Sequence, residues 1–425
     1  MDTDTGWSPL RRTTGSAAGR ITTPPFRRLA VAHVLSLAGD AMVTVALAGS
    51  LFFSISPSAA RGRLTLSLVL TMAPFAVVAP LLGPAIDRFR GGRRLMVAGA
   101  AASRALAALF AAAWIDGLLL FPAAFALLVF SKTHAVAKAS LVPTVVEHRQ
   151  DLVGANARLA LAGALMSTAA ALPGVVVLQL AGAEWVMRLA AVIFAVTAVW
   201  SLRIVQVHPD DPRQRSVATQ QLHHAGIRLA AIATGVLRAS VGFLTFLVAF
   251  ALRRDDAPAW VFGFVLAASV GGALLASLVA PVVRRRVHEE HLLAGALGLV
   301  SVALVLAIRT GGRPGAALAA AAVGVGAGTG KLAFDSLVQR DAPAAAQGRA
   351  FARFEALFQL SWVAGALLPV LFPVPSRGGY VLLALGSAGA AIAYLAGLAA
   401  NRRLLASHGA SRAPAAQPPP PGLGE

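Results

Sequence analysis

Long apolar runs, broken by short polar segments that carry arginine, fill the chain from residue 28 to residue 400. A helix rises about 1.5 Å per residue and the hydrocarbon core of a bilayer is about 30 Å thick, so about 20 apolar residues suffice to cross it. The runs predict membrane-spanning helices at 28–53, 64–86, 95–115, 118–142, 154–180 and 184–205, and a second set at 228–252, 258–283, 291–308, 315–338, 350–372 and 379–400. Two sets of six divide the chain into an N-terminal tail (1–27), a six-helix bundle (28–205), a polar linker (206–227), a second six-helix bundle (228–400) and a C-terminal tail (401–425). The first apolar run is too long for a signal-peptide core and lacks a clear cleavage pattern, so it is expected to remain as the first span. The Ala/Pro-rich C-terminal tail, with Pro418 to Pro421 near its end, cannot build a core, and both tails are expected to be disordered.

Composition agrees with this pattern. Of the 425 residues, 57% are hydrophobic and only 13% charged, with a mean hydropathy of +0.72, whereas soluble domains carry about 25% charged residues. The net charge of +19 does not form one basic face, as a nucleic-acid binder requires, because the arginines fall in clusters between the apolar runs. Alternate breaks hold Arg27 and Arg28, Arg93 and Arg94, Arg213 and Arg215, Arg284 to Arg286, Arg340 and Arg349, and Arg402 and Arg403, while the intervening breaks hold fewer. By the positive-inside rule both termini are expected in the cytoplasm, as an even number of crossings requires. The absence of cysteine excludes a disulfide framework, thiolate metal ligation and a thiol nucleophile.

The two halves repeat. Gly83-Pro84-Ala85-Ile86-Asp87-Arg88 leads out of the second span, and Ala280-Pro281-Val282-Val283-Arg284-Arg285 leads out of the eighth. Ala157-Arg158-Leu159 followed by Leu172-Pro173 is echoed by Ala352-Arg353-Phe354 followed by Leu368-Pro369. Matches in the same order at nearly the same offset indicate a six-plus-six repeat. Between the second and third spans, Gly83, Asp87, Arg88, Gly92, Arg93 and Arg94 form a loop that resembles the G-x-x-x-D-R-x-G-R-R signature of the major facilitator superfamily, with one extra residue before the last Gly-Arg-Arg. Leu35-Ser36-Leu37-Ala38-Gly39-Asp40 and Gly154-Ala155-Asn156-Ala157 are similar to patterns in its bacterial siderophore and multidrug exporters. The helix 5 signature of drug antiporters is not matched, since Pro173-Gly174 lacks the framing glycines. The resemblance implies an all-α membrane fold of about twelve helices in two pseudo-symmetric bundles, lodged in a bacterial cytoplasmic membrane.

Ionisable groups at membrane depth cost about 2.5–3.5 kcal/mol on insertion scales, which makes each a functional candidate. Asp40, Lys132 and Arg238 are expected near the midplane, and the resemblance puts their helices around a central cavity, so with His33 they form a candidate substrate and proton pathway. Asp40 shares a helical face with His33, Ser36, Leu37 and Thr44. It serves either as a protonation switch or simply as an ion-pair partner of Lys132 or Arg238. Arg104, at similar depth, reads as structural, neutralised by a neighbour. Lys331 and Asp335, four residues apart, and Glu355 read as a cytoplasmic gate, either a plain ion pair or a network reaching Arg158 or Lys138. His134 beside Lys138 makes no metal site. The run Gly324-x-Gly326-x-Gly328-x-Gly330-Lys331 lacks the Lys-Ser/Thr ending of a phosphate loop and reads as close helix packing.

No nucleotide site, cofactor or metal is therefore expected. The expected function is secondary transport of a small organic molecule by alternating access, as an exporter or antiporter using protons, in a monomer. An importer of the same fold, a non-transporting scaffold or sensor, and a polytopic lipid-modifying enzyme are the alternatives. The last has only His223-His224 in the linker to support it, with no carboxylate motif beside it.

Overall fold

A computed structural model describes residues 23–48, 92–146, 148, 151–205, 225–342 and 347–410. Residues 225–227 of the expected linker are helical, while its residues 206–224, the second expected span, and Gly83, Asp87 and Arg88 of the loop lie outside the described residues. Those residues form eleven helices: α1 (Pro24–Ala48), α2 (Gly92–Ala113), α3 (Leu120–Val145), α4 (Leu152–Ala181), α5 (Ala183–Ser201), α6 (Ala225–Arg254), α7 (Ala259–Arg284), α8 (Glu289–Thr310), α9 (Gly312–Asp341), α10 (Gln347–Leu371) and α11 (Ser376–Ala410). All eleven are long and apolar enough to cross a membrane. α11 continues to Ala410, past the expected boundary at residue 400.

Ala and Leu dominate these segments and favour helix, while the tightest reversals need glycine. Gly182 (φ 88°) alone joins α4 to α5, and Gly311 (φ 63°) stands between α8 and α9. Each amide donates back to a carbonyl of the preceding turn, Leu178 at 3.1 Å and Ala307 at 3.0 Å, closing the helix end as a left-handed cap does.

In the first half, α1 packs on α4 and α5, and α2 on α3 and α5; in the second, α6 packs on α10, α9 and α11, α7 on α9, and α8 on α9 and α11. The halves meet where α4 lies on α7 and α9, and where α3 lies on α9 and α10. Large apolar side chains such as Leu106, Leu180, Trp260 and Leu385 point outward, as a hydrocarbon solvent allows. One end of the bundle gathers Arg27, Arg28, Arg93, Arg94, Arg203 and Arg284 to Arg286, and is called the arginine-rich face below. There the Trp200 indole donates to the Arg28 carbonyl (3.2 Å) and the Arg28 guanidinium to the Arg203 carbonyl (3.1 Å), tying the start of α1 to the end of α5.

With no hydrophobic drive between helices inside a bilayer, close approach supplies cohesion. A Cβ at Gly324 would strike the Ser269 carbonyl, and one at Gly272 the Ala321 carbonyl, so α7 and α9 touch backbone to backbone. The glycine run of α9 thus lies within a continuous helix whose amides are already bonded, and it packs rather than cradles phosphate. Gly324→Val should lower thermal stability by about 1–3 kcal/mol through overpacking. Gly295→Ala on α8, where a Cβ meets nothing within 4 Å, should be neutral or stabilising by up to about 1 kcal/mol. Tryptophan-fluorescence melts of both purified variants check this; equal melting points would mean that the α7–α9 contact is not tight.

Candidate functional site

Asp40 of α1 does not reach Lys132 or Arg238 for its ion pair, as the sequence had suggested. Arg104 of α2 donates to its Oδ1 at 2.9 Å, and Ser131 of α3 to its Oδ2 at 3.2 Å. Arg104 is fully buried, donates also to Ser36 Oγ at 2.7 Å, and lies with its guanidinium carbon 4.4 Å from the centre of the Phe194 ring of α5. Gly39 lies directly against Phe194, where any side chain would collide with the ring. The arrangement is a neutralised pair locking four helices of the first half, with the Asp40 side chain 30% exposed and the Arg104 side chain sealed.

Nearer the arginine-rich face, about two turns along α1 from Asp40, the His33 ring stacks in parallel with that of His134, with centroids 6.4 Å apart. Both are buried, and among the described residues Nδ1 of His33 and both ring nitrogens of His134 have no hydrogen-bond partner. Arg104 and Lys138 are the nearest charges acting on the pair. No group of three His, Cys, Asp or Glu side chains among the described residues could hold a metal ion.

The second charged centre straddles the halves. Lys331 of α9 contacts Asp335 Oδ1 at 2.6 Å and Glu355 Oε2 of α10 at 3.6 Å, with the Phe358 ring 5.8 Å away. The charges of Arg238 on α6 and Lys132 on α3 also act on Glu355, and Lys138 of α3 stands in the field of Asp335 and Glu355. Arg238 and Lys331 both line a cavity of about 350 Å³ bounded by α4, α6, α7 and α9. Arg238, expected in the pathway, and Lys331, expected at the gate, therefore share one chamber. Arg158 is half-buried on α4, beside Ala157 at the seam between the halves.

Below this chamber, towards the arginine-rich face, the halves are closed. Val153 and Ala157 of α4 pack with Ala280 of α7 and Leu332 of α9 in a small buried cluster. The Asn156 amide donates to Gln339 Oε1 at 2.7 Å, and the Gln339 amide donates to the Ala139 carbonyl at 3.0 Å; both side chains are buried. Gln347 in turn donates to the Gln339 carbonyl at 3.2 Å. A second knot binds the ends of α7, α8 and α9. Buried Glu289 forms an ion pair with Arg284 and accepts from Arg340, both at 2.8 Å, and Arg340 also holds Glu290 at 2.8 Å and Asp341 at 2.7 Å. Gln339 and the Glu289–Arg340 knot went unread in the sequence; their one signal was polar residues at helix ends, too common to single out. Of the loop signature, Arg93 turns inward, is buried, and donates to the Ser140 carbonyl at 3.2 Å, instead of only anchoring the loop at the membrane surface.

Two halves of packed membrane helices around a charged chamber define a membrane transporter. The family profile described as Major Facilitator Superfamily matches residues 29–366. An uncharacterised protein of Mycobacterium leprae (strain TN) is 27% identical over 91% of this chain and 75% of its own length. An uncharacterised MFS-type transporter of Mycobacterium tuberculosis (strain ATCC 25618 / H37Rv) is 28% identical over 88% of this chain and 90% of its own. Among solved structures, the superfamily transporter FucP in its outward conformation superposes with a TM-score of 0.66 at 14% identity, covering 88% of this chain and 98% of that one. The chain belongs to the major facilitator superfamily. It is a multi-pass secondary transporter, not an enzyme, and members of the family bind small-molecule substrates within the membrane.

Proposed function

We propose that this transporter exports a small organic molecule by alternating access, using protons, with the arginine-rich face and both termini in the cytoplasm. The observation that carries the reading is the chamber between the halves, closed towards the arginine-rich face by Asn156, Gln339 and the Val153–Leu332 cluster. In an exporter, the state closed on the cytoplasmic side is the one that releases cargo outward. Asp335 and Glu355 are the proton carriers in this reading, because both hold Lys331, which lines the chamber, so protonating either one loosens a chamber cation, whereas Asp40 holds Arg104, which does not line it.

Transport is tested in everted membrane vesicles with an imposed pH gradient and a panel of cationic, neutral and anionic fluorescent dyes. Export coupled to protons gives gradient-dependent accumulation of at least one dye, above vesicles without the protein. Accumulation only in right-side-out vesicles would make it an importer, and accumulation indifferent to the gradient would remove proton coupling.

Access is tested separately, helped by the absence of native cysteine. Spin labels at Leu202→Cys and Arg286→Cys, both exposed on the arginine-rich face but in opposite halves, report its opening. Gln339→Leu removes buried hydrogen bonds worth about 0.5–1.5 kcal/mol each, so the population open on that face should rise about tenfold. An unchanged distance distribution would mean that Gln339 does not latch the closed state.

A further inference from the structure

We infer that the substrate is an amphipathic organic anion, its acidic group held by Arg238 and its apolar body lying along α6 and α7. This rests on the transport reading and specifies the cargo of the same chamber.

Charge is the first argument. Around the chamber floor, Lys138, Arg238 and Lys331 stand against Asp335 and Glu355, an excess of one positive charge among these described residues whose fields overlap. Asp40 cannot correct this, since Arg104 already neutralises it. Lys331 is committed to Asp335 and Glu355, but Arg238, which lines the same cavity, makes no ion pair or hydrogen bond among the described residues, and its Nε is buried without a partner. A guanidinium set at membrane depth is costly when uncompensated. Its planar donors fit a carboxylate or another oxyanion in two-point fashion.

Shape is the second. Next to this chamber, sharing Val241 and Ser269 in its wall, is a second cavity of about 250 Å³, also walled by Leu244, Phe262, Val265 and Leu266. It offers no charged side chain, so it accepts a hydrocarbon or aromatic body and repels a second ionic group. Volumes of this order suit a molecule the size of a two-ring aromatic acid, at the lower end of the usual range for ligand sites.

The experiment uses the purified full-length chain in nanodiscs and three probes of one shape: naphthalene-2-acetate, its neutral amide, and a naphthylethylammonium. Calorimetric titration should detect the anion, with the amide and the cation each bound at least about tenfold more weakly, a difference of about 1.4 kcal/mol. Arg238→Gln should weaken the anion by at least about tenfold and leave the amide unchanged, whereas Arg238→Lys should keep part of the affinity. If Arg238→Gln does not fold, the comparison of the three probes on the unaltered protein still decides the matter. Equal binding of anion and amide, or preference for the cation, overturns the inference. So does the absence of binding by all three while the vesicles still accumulate a dye, a result that leaves the transport reading standing.

Discussion

Asp40→Asn should cost the protein about 3 kcal/mol of stability, the lower end of what breaking a buried pair costs. The asymmetry of the pair sets the figure. Arg104 is sealed from any solvent, so removing its partner strands a cation with only Ser36 and the Phe194 face beside it. Asp40 is 30% exposed, so Arg104→Met strands a carboxylate that is not sealed in, and its cost should be smaller. Replacing both with apolar residues, Asp40→Leu with Arg104→Met, should return stability to within about 1 kcal/mol, since well-packed hydrophobic groups replace buried pairs at little or no loss. Unfolding of the three variants in detergent, followed by tryptophan fluorescence, checks the series. An unchanged Asp40→Asn protein would mean that Arg104 finds another anion. Dye accumulation by the double variant separates the two roles considered for Asp40: a folded protein that still transports makes the pair structural, and one that folds without transporting returns Asp40 to the proton path.

The architecture was legible because apolar runs of span length and their basic breaks are local features. The duplicated Pro-and-Arg pattern after spans two and eight added the symmetry. The site was legible in its residues but not in its pairings. Asp40, Lys132, Arg238, Lys331, Asp335 and Glu355 stand out as charges in apolar runs, and one pair, Lys331 with Asp335, is fixed by helical spacing alone. Asp40 with Arg104, Asn156 with Gln339, and Glu289 with Arg340 lie far apart in sequence, and only tertiary packing brings them together. Relative depth was not legible either: Lys331 stands about 15 Å from the end of α9, which runs for 30 residues, and only the packing shows that it lines the same cavity as Arg238.

Charge reversal at Asp335 should be the most damaging single change to transport. Asp335→Lys would set a further cation among Lys132, Lys138, Arg238 and Lys331, leaving Glu355 to face all of them. Lys331, now repelled by its neighbour one turn away, would turn wholly to Glu355 and hold α9 to α10 in one arrangement. Initial dye accumulation in everted vesicles should fall at least about tenfold. Exchanging the two residues, Lys331→Asp with Asp335→Lys, rebuilds the i,i+4 pair in reverse order. It should recover part of the rate, with a coupling of about 1 kcal/mol or more, a factor of roughly five. Recovery stays incomplete, because the exchange moves the cation one turn from Glu355 and puts a carboxylate where Lys331 had met it at 3.6 Å. Adding Glu355→Gln to the exchange removes that new repulsion and should raise the rate again if Glu355 serves only as an ion-pair partner. If Glu355 itself carries the proton, the triple variant should fold, bind and equilibrate dye, but no longer accumulate it against a gradient. No rescue by the exchange, in protein that melts at the normal temperature, would show that Lys331 and Asp335 act independently.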